Sequence, residues 1–431
     1  MAILAGLWAA ITAASSVVAL SRLVPPFPTA VCSTIAPPQS VLNVTTASTS
    51  VDHHPFGIKY LTNDIAFAVI GRTIGVLDTS QFKPVLKYQI HLTHAIAARL
   101  GFDEDDPDTE AYIFHGLAIT NDGRNLYAAG GYGAIVIDTQ RAVAGRNDSI
   151  VGVLANDGRA GNYSAMVSIT PDDQYVFFTQ EFGSPFTFKH GSLEVWNVFR
   201  AEDGAVTGVY KGFIILGFYT VDLAFSHDYS KLYVTNEIGG LPASSNDTVG
   251  SVAVLDVAKL KQSPASSLLW AVDAGCHPVR VKLSPDGKNL WVNAREGNEL
   301  LVFDTEMLNS NDTLDRALVT TIQTGTSPVA VAVVGSYVFT ADSNRFGYSN
   351  TTSGLTVVNT QEVLQEDEPV RFPQIPMGSF PREFGVSPDG KTLLVSEYDG
   401  YEIRAVDIGS LKGRTDGGRR RFRVQRFGSD Q

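Results

Sequence analysis

The sequence predicts an all-β fold, a seven-bladed β-propeller, and three observations carry that prediction. A tight turn followed by an alternating apolar run recurs along the chain. Its clearest copies are Ser284-Pro285-Asp286-Gly287-Lys288 before Asn289-Leu290-Trp291-Val292-Asn293, and Ser387-Pro388-Asp389-Gly390-Lys391 before Thr392-Leu393-Leu394-Val395-Ser396. Each copy is answered by a short apolar strand that ends in Asp, Leu300 to Asp304 and Ile403 to Asp407. The unit repeats every roughly 50–60 residues with no helical period of comparable length, which is the pattern of propeller blades.

The elements follow in order. Blade one holds Ile65 to Ile70 and Ile74 to Asp78, and blade two holds the Asp122-Gly123 turn with Ala134 to Asp138. Blade three has Pro171-Asp172-Asp173 before Tyr175 to Phe178, and blade four has Leu232 to Asn236 with Ser251 to Asp256. Blades five and seven carry the copies quoted above. Blade six is degenerate, with Val329 to Val334 and Leu355 to Asn359. The domain reading is a signal peptide over 1–21, an extended Pro/Ser/Thr-rich lead-in over 22–52, and a propeller over 53–427. In the basic tail, Phe422 and Val424 alternate with arginines as an outer strand of the last blade would, the other reading being a basic contact patch.

Bulk properties narrow the class. The chain has 431 residues, 44% of them hydrophobic, and a formal net charge of −12, which argues against a nucleic-acid partner. Residues 1–21 are apolar and Ala-rich with small residues at Ala19-Leu20-Ser21, as in a secretory signal, although no Lys or Arg precedes the apolar run. An uncleaved anchor is the other reading; no membrane association is expected after cleavage. Six sequons, at Asn43, Asn147, Asn162, Asn246, Asn311 and Asn350, accord with secretion. Cys32 and Cys276 either pair in an oxidising compartment or are two unrelated thiols. The acidic run Asp103 to Glu110 lacks the spacing of a calcium loop and reads as a solvated connection.

The repeats resemble the YVTN-type propellers, and more specifically the seven-bladed lactonase family that includes 6-phosphogluconolactonases and fungal muconate cycloisomerases. The stretches that carry the resemblance are Gly275-Cys276-His277-Pro278-Val279-Arg280 and Gly378-Ser379-Phe380-Pro381-Arg382-Glu383-Phe384, which are similar to the family's Gly-x-x-Pro-Arg. Only Arg382 follows Pro as that pattern asks; in the first copy Val279 intervenes before Arg280. The resemblance implies lactonase or lactonising chemistry, in a fold that also serves non-enzymes.

Aligning the blades on the turn brings residues into rings on the face opposite the Asp-Gly turns. The mouth ring is His54, Ile113, Tyr163, Tyr219, His277, Ser327 and Phe380. A deeper ring is Gly57, Gly116, Met166, Asp222, Arg280, Ala330 and Glu383, and a third contains Lys59, Ser168 and Lys282 among small residues. Loops after the second strands add Phe182, Phe186, Phe188, Tyr398 and Tyr401. This composition suits a flat, largely apolar small molecule held by stacking. The accompanying expectations are a monomer and no cofactor. The candidate catalytic residues are His277, Arg280, Arg382, Glu383 and His115; the candidate binding residues are His54, Tyr163, Tyr219, Asp222, Phe380 and Tyr398. Asp222, Arg280 and Glu383 have a second reading, a buried ion network tying blades together. No metal site is expected, because His54, His115 and His277 come from distant blades without ligand spacing. The functional expectation is a secreted ring-forming enzyme resembling propeller cyclases of fungal specialised metabolism, with hetero-Diels–Alder chemistry favoured. A lactonase or cycloisomerase, or a non-catalytic extracellular binding propeller, are the alternatives.

Overall fold

The computed structural model describes residue 32 and residues 35–102, 113–239, 249–363 and 371–411. Seven four-stranded antiparallel sheets form a closed ring, and the molecule is a seven-bladed β-propeller. The innermost strands are Pro55–Thr62, Phe114–Ile119, Ser164–Ile169, Phe218–Phe225, Pro278–Leu283, Pro328–Val334 and Pro381–Val386, in blades I to VII. Each touches the next, and the last touches the first. Blade VI is a full sheet despite its weak sequence signal; only its outer strand, Gln374–Pro376, is short.

The recurring turn has a local cause. In blades II to V and VII a Ser or Thr hydroxyl bonds the Asp carboxylate two residues on, as in Ser284–Asp286 at 2.6 Å and Ser387–Asp389 at 2.8 Å. The fourth residue closes the turn by donating its N–H to the first carbonyl, Gly287 to Ser284 at 2.9 Å. That fourth residue needs a left-handed backbone, so Gly is the low-cost choice. Asp173 and Tyr229 stand there in blades III and IV with φ of 55° and 57°. The terminal Asp of the third strand has a separate role. Asp138, Asp256 and Asp304 each cap the helix that follows, accepting from the N–H three residues on at 2.9, 2.9 and 3.0 Å.

The core is built by one repeated position. The third residue of each second strand is Phe67, Tyr127, Phe177, Tyr233, Trp291, Phe339 or Leu394, and all seven are buried. Each belongs to a cluster that joins its blade to the next; Trp291, for instance, packs with Val331 and Val338 of blade VI. Burying rings of this size is the main attractive force between twisted sheets that share few backbone hydrogen bonds.

Ring closure corrects the reading of the N-terminal segment. Thr46–Ser50 pairs antiparallel with Glu402–Asp407, Thr46 opposite Val406 and Ser50 opposite Glu402, and so supplies the outermost strand of blade VII. The lead-in 22–52 thus ends in a blade strand, and a Thr/Ser edge is suited to water. The place expected for Phe422 and Val424 is filled by this strand; those residues, like Asn246 and the run Asp103 to Glu110, lie outside the described residues. Cys32 and Cys276 are disulfide-bonded. From there the segment is pinned across blade VI, with Ala36 N–H donating to Thr326 Oγ1 at 3.0 Å and Leu42 N–H to the Gln374 carbonyl at 2.8 Å. Asn43, Asn147, Asn162, Asn311 and Asn350 are exposed. Among the described residues no helix is long and apolar enough to cross a membrane.

Candidate functional site

Every inner strand slips register near its start, between Pro278 and Val281 in blade V and at the equivalent residues elsewhere. The bulge leaves an N–H unpaired by the ladder, and a side chain of the second strand accepts it. Met166 donates to Thr179 Oγ1 at 2.9 Å, Asp222 to Thr235 Oγ1 at 3.0 Å, Arg280 to Asn293 Oδ1 at 2.6 Å and Glu383 to Ser396 Oγ at 3.0 Å. Bulges re-aim side chains. Just before them Tyr219, His277, Ser327 and Phe380 share a left-handed backbone, φ 53–55°. Such strain in non-glycine residues persists only where the surroundings impose it, and it gathers at functional sites.

Two unlike halves make up the mouth. Blades VII and I to IV contribute a continuous arc of rings. Phe380 lies 5.4 Å from Tyr398, Tyr398 stacks on His54 at 4.3 Å and meets Phe56 edge-on at 6.2 Å, and Phe56 meets His115 at 4.8 Å. From His115 the arc runs to Tyr163 at 4.3 Å, Phe182 at 4.9 Å and Tyr219 at 5.6 Å. Phe56, His115 and Tyr163 are buried and form its back, while Phe380, Tyr398, Phe182 and Tyr219 keep accessible surface. The Arg382 guanidinium carbon sits 4.6 Å from the Phe56 centroid, 5.2 Å from Phe380 and 5.8 Å from Tyr398.

The other half is charged. Glu237, near the end of the second strand of blade IV, takes two hydrogen bonds from Arg295 at 2.9 Å each. His277 Nδ1 lies 3.3 Å from Glu237 Oε2, and its Nε2 lies 3.8 Å from Glu296 Oε2. Although burial alone would raise it, the Glu237 carboxyl is held well below its usual range by Arg295, His277 and Arg345. Glu237, Arg295, Glu296 and Arg345 stand where the second strands end, beside loops whose aromatic residues alone read as a binding surface in the sequence; no repeat marks these charges. The expectation of a mostly apolar cup is corrected accordingly.

Beneath the mouth the second ring is shut. Arg280, Asp222 and Glu383 are all buried. Arg280 Nε donates to Glu383 Oε2 at 2.9 Å across the channel. Asp222 Oδ2 accepts from Lys282 Nζ at 2.8 Å and from the Val281 N–H at 3.1 Å. Between blades I and II the strands leave no space for a side chain, since a Cβ on Gly57 would stand 2.1 Å from the His115 carbonyl oxygen. The structure therefore places Asp222, Arg280 and Glu383 in an ion network that plugs the axis, and His115 in the wall. His54, Tyr163, Tyr219, His277, Phe380, Arg382 and Tyr398 gather at one mouth.

Comparison with solved structures returns the same architecture. Kuenenia stuttgartiensis hydrazine synthase superposes with a TM-score of 0.57 at 14% identity, over 83% of this chain and 97% of that one. The Myceliophteria thermophila Cps50 (Swd1) β-propeller domain superposes with a TM-score of 0.54 at 13% identity, over 84% and 99%. The shared property is the propeller fold. No protein-family model and no curated protein matches the chain.

Two buried acids near this end set the pH response. Glu194 accepts from Asn156, Gln180 and Trp196, yet burial pushes its pKa up to about 7. Asp342, held by Thr340, Thr356 and Gln374, is pushed up to about 6 for the same reason. Below about pH 4 both are protonated, folded or unfolded. As pH rises from about 4 to 7 the unfolded chain ionises first, so stability falls across that window by about 2–3 kcal/mol per acid. The turn aspartates act oppositely. Asp228 is held near 2 by hydrogen bonds from Ser226 and Ser230, and its contribution is lost as pH falls below about 4. Urea midpoints measured from pH 3 to 8 should peak near pH 4–5; a steady rise to pH 7 would contradict these assignments.

Proposed function

We propose that this chain is a secreted propeller that binds a flat, oxygen-bearing organic molecule along the aromatic arc and closes a ring in it without a cofactor, in a cyclisation of the hetero-Diels–Alder type. One observation carries the reading: Arg382 is held against three rings at the blade VII and I end of the arc. A substrate stacked there would place a carbonyl or enone oxygen within reach of a fixed cation. Hydrogen bonding to that oxygen stabilises the negative charge it gains in the transition state, and the arc supplies orientation. A [4+2] closure exchanges two π bonds for two σ bonds and moves no proton. That agrees with the burial of His115 and Glu383, which are withdrawn from the mouth and poorly placed for acid–base work. Secretion is supported by the Cys32–Cys276 bond and by exposed sequon asparagines.

The test is a titration of the purified chain with planar aromatic enones and quinone methides, alone and with an alkene partner, followed by product mass analysis. The reading expects saturable binding and an adduct formed faster than in buffer. Hydrolysis of simple lactones instead would select the lactonase alternative, and binding with no turnover of either class a binding propeller.

A further inference from the structure

The plug divides the axis, and accessible surface inside the barrel reappears on its turn side. Lys59 is exposed there, Lys282 keeps 38% of its side chain open, and Ala118, Ser168 and Ala224 are partly accessible, whereas Met166, Asp222, Arg280, Ala330 and Glu383 of the ring above are buried. At and just above this lumen stand three cations, Lys59, Arg280 and Lys282, and two anions, Asp222 and Glu383, with Glu181 also acting on Arg280. Both anions are engaged, Asp222 with Lys282 and Glu383 with Arg280. Among the described residues Lys59 makes no hydrogen bond or ion pair, and Arg280 Nη1 is a buried donor without a partner. Water reaches the Lys59 side chain, yet the protein packed around it and the Lys282 charge both lower its pKa, against a smaller pull from Glu383. An anion beside Lys59 would offset the cost of its charge.

We propose that this turn-side lumen binds a small oxyanion, a carboxylate or a phosphate, between Lys59 and Lys282. Small side chains line it, Lys59 supplies a point charge free to turn toward the anion, and Lys282 would share its ammonium between the anion and Asp222. The site is separate from the mouth and does not rest on the cyclase reading. Calorimetric titration of the full chain with inorganic phosphate, and separately with acetate, at fixed ionic strength tests it. The expected result is saturable one-to-one binding by at least one of them, weakened about tenfold or more in Lys59→Met. Because Lys59 has no partner to lose, that variant should fold; its thermal unfolding checks this. Asp222→Asn, which removes a competing anion, should tighten binding. As a second readout, NMR of the reductively 13C-methylated protein should show the Lys59 signal titrating at higher pH when the anion is present. Preference for one anion names the ligand class. The proposal is overturned if neither saturates, or if Lys59→Met binds as the natural chain does.

Discussion

Arg295→Ala is expected to destabilise the protein by about 3–5 kcal/mol, the cost of leaving one charge of a buried pair uncompensated. Both partners are nearly sealed, with 10% of the Arg295 and 9% of the Glu237 side chain exposed. Two hydrogen bonds of 2.9 Å hold the carboxylate in a fork that no single lysine could reproduce. Without Arg295, Glu237 keeps His277 at 3.3 Å and the more distant Arg345 charge, and must take up a proton or draw in water. The double variant Arg295→Met with Glu237→Leu should recover most of the loss, since an apolar pair carries no desolvation penalty. Urea unfolding of the three proteins checks this; a loss below about 1 kcal/mol in Arg295→Ala would mean that solvent screens the pair.

Arg382→Ala should leave the fold nearly intact and weaken binding of a planar enone about 10- to 100-fold, the value of a hydrogen bond to a charged donor. The guanidinium is partly accessible and touches rings that pack on one another without it. Arg382→Lys should fall between, because it keeps charge but loses the flat face that lies against Phe56 at 4.6 Å. Fluorescence titration of the three proteins with one ligand reads the series. Equal affinities would take Arg382 out of the site.

The blades were legible because each repeats a turn whose chemistry is local: a hydroxyl, an aspartate and a residue that tolerates positive φ. Alignment on that turn also found the mouth. Tyr219, His277, Ser327 and Phe380, chosen by register, share one backbone conformation. Other features depend on contacts between blades and leave no local mark. The bulge that seats Arg280 requires Asn293, 13 residues on, and Arg280 reaches Glu383, 103 residues on. The charged half of the mouth has no such mark, because Glu237 and Arg295 are 58 residues apart and are paired only by the fold. Thr46–Ser50 was read as lead-in because an edge strand facing water needs no apolar alternation.

The central claim is that residues far apart in number form one aromatic receptor on one face. The most direct measurement is 19F NMR of the protein labelled with 3-fluorotyrosine, its signals assigned by Tyr→Phe replacement, during titration with a planar enone. The account expects the signals of Tyr163, Tyr219 and Tyr398 to move together with one affinity, while those of the buried inter-blade Tyr127 and Tyr233 stay still. A ligand that binds yet leaves those three unmoved, or moves only Tyr210 beside Trp196 on the outer wall, would contradict it.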